Sequence, residues 1–326
     1  MTGFDLEAVV AEMAKADELV LTCHVGPDGD ALGSLLGVAW LARRQGKRVY
    51  ASFGEPFTIP EAYRFLPVDL LVAPGAVPAE PGLMMSFDAG SLDRLGVLAE
   101  TAGRAKTLVV VDHHASNPGF GTLNLIDPKA AATAEICVQL MAGLGWELDE
   151  VSATCFHAGL VTDTGRFQYS NTSPSTLRVA ATLVEAGARP EIVGRHVYEE
   201  VPFGYLHLAS IVLGRASLDP ELRLVWSWVS FADLAAAGIG MDDTDPLIDA
   251  VRVARESDVA MLLKEAGQGR VKVSLRSRGR VDVGAIAVAF GGGGHHNAAG
   301  FTFTGSVEAA VEAVRGHLSP APPEAG

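Results

Sequence analysis

Short apolar runs that stop at polar residues punctuate the first half of the chain. Residues 18–23 are apolar through Leu19, Val20 and Leu21, and give way to His24-Val25-Gly26-Pro27-Asp28-Gly29-Asp30. Residues 47–53 and 82–87 repeat the pattern, the latter ending at Asp88. Leu108-Val109-Val110-Val111 is apolar without alternation and stops at Asp112-His113-His114. An unbroken run of this length predicts a central parallel strand covered on both faces. Leu123-Asn124-Leu125-Ile126 follows as a strand ending in a turn. Between these runs the apolar spacing becomes helical. Leu6, Val9, Val10 and Met13 share one face of 4–16, and helices are predicted over 30–45, with Gly46 as a stop, and over 93–105, 131–143 and 149–161. Residues 54–81 are rich in proline and carry no clear period.

Alternating strand and helix predicts an α/β domain, a parallel sheet with helices on both faces. The pattern changes further on. Residues 173–216 read as helical, and strands follow one another from about 222. The expected organisation is a parallel-sheet domain over 1–189, a helical linker over 190–206, a smaller α+β domain over 207–318 and a disordered tail over 319–326. A length of 326 residues suits two domains.

In open α/β sheets the chemistry sits beyond the carboxyl ends of the strands. His24, Asp28 and Asp30 follow the first strand, Asp88 the third, and Asp112-His113-His114 the fourth. Thr162-Asp163-Thr164-Gly165 stands where a helix breaks. A lone Asp at a strand end is more often a turn former or a cap than a ligand, and Asp30 alone could cap a helix. Four such groups at the ends of consecutive elements point to one shared site. Without cations, Asp28, Asp30, Asp88 and Asp163 would repel one another and their pKa values would rise. Two divalent ions about 3.5–4 Å apart would balance them and could clamp both sides of an in-line displacement at phosphorus. A mixed Asp and His set disfavours calcium and suits manganese better than magnesium.

Charge changes the picture in two ways. The formal net charge of −14 argues against wrapping a long nucleic acid. Yet residues 270–282 carry five basic side chains and one acid. There Val271, Val273 and Leu275 would face a core, with Lys272, Ser274, Arg276 and Arg278 on the other side. The run Gly291-Gly292-Gly293-Gly294-His295-His296 follows a predicted helix over 283–290. Its bare amides could bind an anion, or the glycines could simply form a loop or a tight turn. Three cysteines make no disulfide framework and suit a reducing compartment. Apolar runs such as 35–42 are too short to span a bilayer. The acidic N-terminus, with Asp5, Glu7, Glu12 and Asp17, does not read as a secretory signal, so a cytoplasmic location is expected.

Taken together, these residues resemble the DHH phosphoesterase superfamily. The stretch from His24 to Ser34 resembles its first motif, Asp88 its second, Asp112-His113-His114 its third and Thr162-Asp163-Thr164-Gly165 its fourth. Gly292-Gly293-Gly294-His295-His296-Asn297-Ala298-Ala299-Gly300 is similar to the signature of the associated C-terminal domain. The sequence departs from that pattern at Gly26, where relatives often carry Asn, and at Ala89-Gly90, where a more polar pair is common.

The resemblance implies two Mn2+ ions, with Mg2+ or Co2+ as substitutes. His24, Asp28 and Asp88 would hold one. Asp30, Asp88, His113 and Asp163 would hold the other, with Asp88 as the bridge. It implies that His114 contacts the scissile phosphate or assists the leaving group, and that Asp112 orients the histidines. Arg276, His295 and the amides of Gly292, Gly293 and Gly294 would grip the substrate from the second domain, closing a cleft over it. The branch it resembles contains nanoRNases that also act on 3′-phosphoadenosine 5′-phosphate (pAp). Implied partners are short RNA or DNA oligonucleotides or small nucleotides, with no long duplex and no membrane; a homodimer is also implied. The alternatives are a cyclic-di-AMP or pApA phosphodiesterase and, from another class, a non-catalytic nucleotide sensor.

Overall fold

The structure, a computed structural model, describes residues 4–320, apart from the side chains of Asp242 and His295. The expected tail therefore lies outside the described residues from 321 onward. The chain divides into two compact units between Glu200 and Val201.

The first unit is built on a five-stranded sheet of order β2-β1-β3-β4-β5, parallel throughout. Its strands are β1 (Glu18–Cys23), β2 (Arg48–Phe53), β3 (Leu83–Phe87), β4 (Thr107–Asp112) and β5 (Leu123–Ile126). The apolar run of β4 divides its residues between two cores. Val109 and Val111 face one, with Leu21, Phe87 and Leu125, while Leu108 and Val110 face the other, with Val20 and Met84. Burial on both faces is the reason the run shows no alternation. The chain leaves β1 towards β2 on one side and continues to β3 on the other. This reversal of order marks where a doubly wound sheet opens a crevice.

The helices are α1 (Leu6–Lys15), α2 (Gly29–Arg44), α3 (Leu98–Arg104), α4 (Thr133–Leu144), α5 (Glu150–Asp163), α6 (Pro174–Glu185) and α7 (Pro190–Gly194). Thirteen of the sixteen residues of α2 are buried. It lies so close to α5 that a Cβ on Gly33 would sit 2.3 Å from the Cys155 carbonyl oxygen. The predicted helix over 93–105 is instead two pieces, a 3-10 turn at Leu92–Leu95 and then α3. Gly96 breaks it with φ 57, which lets Leu95 and Leu98 both reach the core. The break also serves the site, because the Arg94 carbonyl in this turn accepts the Val25 N–H at 2.8 Å. The stretch without period holds three 3-10 turns, at Glu61–Tyr63, Val68–Leu70 and Pro74–Ala76. Prolines 60, 67 and 74 start them, with φ already set. A π turn at Arg195–Glu199 follows α7.

The second unit starts with α8 (Phe203–Gly214) and carries a six-stranded mixed sheet of order β10-β11-β9-β8-β7-β6. Its strands are β6 (Ser217–Asp219), β7 (Leu224–Val229), β8 (Val259–Glu265), β9 (Arg270–Ser277), β10 (Gly293–His295) and β11 (Ala298–Thr304). Its other helices are α9 (Phe231–Ala237), α10 (Leu247–Val251), α11 (Val283–Ala289) and α12 (Val307–Arg315). Val271, Val273 and Leu275 of β9 join the core beneath α11 and α12. Val225, Val229 and Leu262 join a second core beneath α8, α9 and α10. The glycine run is a hairpin arm as well as a turn: Gly293, Gly294 and His295 pair with Gly300, Ala299 and Ala298. A Cβ on Gly292 would lie 2.2 Å from the Gly300 carbonyl oxygen. These glycines thus have a packing reason that a reading of bare amides leaves out.

Candidate metal centre

The carboxyl ends of β1, β3 and β4 deliver His24, Asp88 and the Asp112-His113-His114 run to one edge of the parallel sheet. Asp28 is the residue that caps α2, in place of the expected Asp30. Its Oδ1 accepts the N–H groups of Asp30 and Ala31 at 3.1 and 3.0 Å. Its Oδ2 lies 3.7 Å from His24 Nε2. Asp163 is the last residue of α5.

Asp88 is the hub. Its Oδ2 lies 3.6 Å from His24 Nε2, while its Oδ1 lies 3.5 Å from His113 Nε2 and 3.7 Å from His114 Nδ1. The backbone holds φ 54, a left-handed conformation that Asp tolerates better than most residues. Its N–H still reaches the Val111 carbonyl at 3.0 Å, so the turn of the backbone happens on the last rung of the sheet. His113 Nε2 is a second meeting point, 3.1 Å from Asp163 Oδ2 and 3.9 Å from Asp30 Oδ2. Among the described residues, three sets of side chains could each hold an ion: His24, Asp28 and Asp88; Asp30, His113 and Asp163; and Asp88, His113 and His114. In each set the ligand atoms lie within 4.8 Å of one another. Imidazole nitrogen with carboxylate oxygen is a donor set that suits first-row divalent ions. The residues present fit such a metal.

The titration behaviour points the same way. Burial opposes protonation of His24 and His113, yet the facing carboxylates of Asp28 and Asp88 for the one, and of Asp163 for the other, raise both well above the ordinary imidazole value. Burial, then the charges of Asp88 and Asp163, push Asp30 well up. Burial pushes Asp163 to about 6, against the pull of His113. Burial also opposes ionisation of Asp88, but the facing imidazole of His24 and the charges of His113 and His114 hold it far below the carboxylate range. The cluster therefore draws protons onto its histidines. A cation would neutralise the same excess of negative charge and displace those protons.

Around the cluster stands a set of residues that hold it in place. Asp112, expected to orient the histidines, is fully buried, and its Oδ1 accepts the His113 N–H at 2.9 Å and His114 Nδ1 at 2.7 Å. Sequence reasoning missed Asn117 and Thr133. Asn117 Nδ2 donates to the other Asp112 oxygen at 2.6 Å and to the Ala89 carbonyl at 3.1 Å. Thr133 donates its Oγ1 hydrogen to Asp88 Oδ1 at 3.1 Å. Asp30 accepts the Thr133 and Ala134 N–H groups at 2.6 and 2.9 Å and the Ser34 hydroxyl at 3.2 Å. It therefore caps α4 from another helix, and its carboxylate does two jobs. One signal was available in the sequence: Ala130-Ala131-Ala132 precedes α4 with no capping side chain of its own. Cys23 is not a nucleophile candidate. Burial first, then Asp88 and Asp28, push its thiol well above the usual range.

In the second unit, Arg276 is half-buried on β9, and its Nη1 donates to the Leu275 carbonyl at 3.1 Å. Arg276 and His295 both pair with Ala298, from opposite sides of β11. The register thus puts them in one row across the sheet, along with the hairpin of Gly293 and Gly294.

Comparison with known proteins agrees with this architecture. The model of the DHH family, N-terminal domain, matches residues 18–160, and that of the DHHA1 domain matches residues 229–319. The bifunctional oligoribonuclease and PAP phosphatase NrnA of Thermus thermophilus is 36% identical over 321 residues, covering 95% of this chain and 94% of that protein. The protein of the same name from Bacillus subtilis is 27% identical, covering 87% and 88%. Among solved structures, an exopolyphosphatase-related protein from Bacteroides fragilis superposes with a TM-score of 0.88 at 23% identity, over 96% of this chain and 94% of that one. RecJ of Thermus thermophilus in complex with Mn2+ gives 0.53 at 13% identity, over 96% of this chain and 53% of that one, and shares the fold. Fold and site together define a hydrolase of phosphoester bonds. The chain belongs to the DHH family, with a DHHA1 domain following the DHH domain. Among the described residues, no helix is long and apolar enough to cross a membrane.

Proposed function

We propose that this protein is a manganese-dependent phosphoesterase of short nucleotides, hydrolysing di- to pentanucleotides, pAp to AMP, or both. The observation that carries the reading is the carboxylate of Asp88, whose two oxygens face two different sets of ligands. The bifunctional oligoribonuclease and PAP phosphatase at 36% identity supports the choice of substrate class.

His24, Asp28 and Asp88 would hold one ion; Asp30, Asp88, His113 and Asp163 would hold the other. Bound there, divalent ions supply an activated water and neutralise charge developing on the phosphoryl oxygens. The protein's own groups do the rest. Asp112 engages His114 at Nδ1, so a proton that His114 hands to a leaving oxygen must travel through Nε2. The N–H groups of α4 keep Asp30 in place, and Thr133 fixes one oxygen of Asp88. Preset ligands of this kind need no rearrangement when charge develops. Lys272 and Arg276, with the amides of Gly293 and Gly294 and with His295, would bind the phosphates or the nucleotide end of the substrate. The Gly292 N–H, also expected there, instead donates to the Ala287 carbonyl at 2.9 Å.

The test is turnover of pAp, pApA, cyclic-di-AMP and di- to tetranucleotides with Mn2+ and Mg2+ in parallel, for wild type and Asp88→Asn. Wild type should cleave pAp and short oligonucleotides with Mn2+, and the variant should lose both activities. Near-normal turnover by Asp88→Asn would reject the mechanism. Preference for cyclic-di-AMP would move the substrate assignment, and nucleotide binding without hydrolysis would make the protein a sensor.

A further inference from the structure

We infer that Arg166 is a phosphate-binding residue of the substrate site, placed beside Asp163 by a strained loop. The inference rests on the reading of this centre as a nucleotide phosphoesterase and adds a specificity-determining side chain to it.

The local geometry begins with how α5 ends. Gly165 has φ 53, and its N–H bonds to the Thr162 carbonyl at 3.1 Å. The Arg166 N–H bonds to the Val161 carbonyl at 2.8 Å. A left-handed glycine with backward bonds of this kind is an ordinary way to close a helix, and the chain then usually leaves in an extended form. Here it does not. Arg166 and Phe167 both hold φ 62. A left-handed residue with a side chain is unfavourable, because its Cβ crowds the following carbonyl oxygen. The loop is held by its surroundings: the Phe167 N–H bonds to Thr164 Oγ1 at 3.1 Å, and the N–H groups of Gln168 and Tyr169 both reach the Thr164 carbonyl at 3.0 Å. Strain that persists because its surroundings impose it tends to sit at functional sites. This loop starts two residues after a candidate metal ligand.

The loop sets the arginine on an aromatic face. The Arg166 guanidinium lies over the Tyr198 ring, 4.7 Å from its centre. Tyr198 belongs to the π turn at Arg195–Glu199, and π turns are uncommon and often mark sites. Its hydroxyl points to the Val161 carbonyl at 3.4 Å, the same oxygen that accepts the Arg166 N–H. Ring and guanidinium are thus tied to one turn of α5, the turn that ends in Asp163.

Charge gives the arrangement its meaning. The chain has 39 acidic residues for 25 basic ones; in the first unit Arg44, Arg48, Arg64, Arg104 and Arg189 are ion-paired, while Arg43, Arg94, Arg178 and Arg195, like Arg166, form no ion pair among the described residues. Arg166 is exposed and, among the described residues, forms no ion pair, although it follows Asp163 by only three positions. A stacked guanidinium still presents its edge donors as a fork, which suits a phosphate.

The experiment uses the full chain as wild type, Arg166→Ala, Arg166→Gln and Tyr198→Leu. Five quantities are read: affinity for AMP by calorimetry with Mn2+ present, KM and kcat on pAp, Mn2+ affinity, and Tm. Arg166→Ala and Arg166→Gln should weaken AMP binding and raise KM by about tenfold or more, the size of a lost charge-assisted bond. Their kcat and Mn2+ affinity should stay within about twofold of wild type. Tyr198→Leu should give a smaller loss of the same kind. The glutamine variant keeps the stem of the side chain and carries the test if alanine disturbs the loop. Unchanged AMP affinity in either arginine variant, or a lowered Tm with unchanged KM, overturns the inference. If wild type binds AMP through Arg166 but hydrolyses nothing, the phosphoesterase reading fails while this binding role stands. Hydrolysis with AMP binding that ignores Arg166 removes the binding role and leaves the phosphoesterase reading intact.

Discussion

The two regions assigned to chemistry are built differently. In the first unit the candidate ligand side chains are mostly buried and tied to distant backbone. Asp30 caps a helix more than a hundred positions away in sequence, and Asp112 is gripped by His113, His114 and Asn117. In the second unit, Lys272 is exposed and Arg276 half-buried on a strand face, and the Arg276 guanidinium bonds to its neighbour's carbonyl. The first arrangement holds the candidate ligand atoms through hydrogen bonds to backbone and buried side chains, the kind of support a proposed metal site needs. The second places basic side chains on a partly solvated strand face, where the proposed contacts to a nucleotide would be made by side-chain charge rather than by a preset cage. A cage buries polar groups that must all be satisfied; a solvated face has no such requirement.

This contrast orders the expected effects of mutation. Asp88→Asn should be the most severe, because one carboxylate serves two ligand sets; turnover should fall by more than the roughly 10–100-fold that loss of an outer partner typically costs. Asn117→Ala should come next, with Mn2+ affinity or activity reduced by about 10–100-fold while the fold stays intact. A Mn2+ titration of activity checks this, and a wild-type curve would mean that Asp112 needs no support. Arg276→Ala should raise KM by about tenfold and leave kcat and Mn2+ affinity nearly unchanged, a loss of uniform binding. A fall in kcat alone would break the contrast by making the second region part of the chemistry.

The smallest expected effect is on pH dependence, and its sign differs between metal-free and loaded protein. His24 and His113 have raised pKa values in the folded, metal-free protein. Their stabilisation is complete below about 6.5, the ordinary imidazole value, and is lost as pH rises through the raised values. Asp163, pushed to about 6, works in the same direction at lower pH. The Tm of chelator-treated protein should therefore fall from about pH 6.5 upward. Mn2+ affinity should rise over that range, because fewer protons must be displaced. Parallel thermal scans with chelator and with Mn2+ test this. A chelated Tm that is flat with pH would mean the histidines do not hold the protons assigned to them.

How much is legible in the sequence varies with the range of the interaction involved. Strand ends carrying His24, Asp88 and the Asp112-His113-His114 run can be read from apolar runs that stop abruptly. The helix over 93–105 reads as one piece because its apolar spacing continues across Gly96, whose left-handed turn is set by packing on the loop after β1. The glycine run suggests exposed amides, while β10 and β11 show the glycines meeting another strand's backbone. Asn117, in a loop, and Thr133, at the start of α4, give no signal of their own: a polar residue reads the same in sequence whether or not it holds a carboxylate.

The sequence by itself determined the alternation of strand and helix, the polar groups at the strand ends and the reversal of charge at 270–282. These follow from periodicity and composition, which are local properties of the chain. Only the tertiary structure decided that Asp28 caps α2 while Asp30 caps α4, that the two oxygens of Asp88 face different partners, and that Arg166 rests on Tyr198. Those facts depend on distances between atoms far apart in the chain, and packing alone sets such distances.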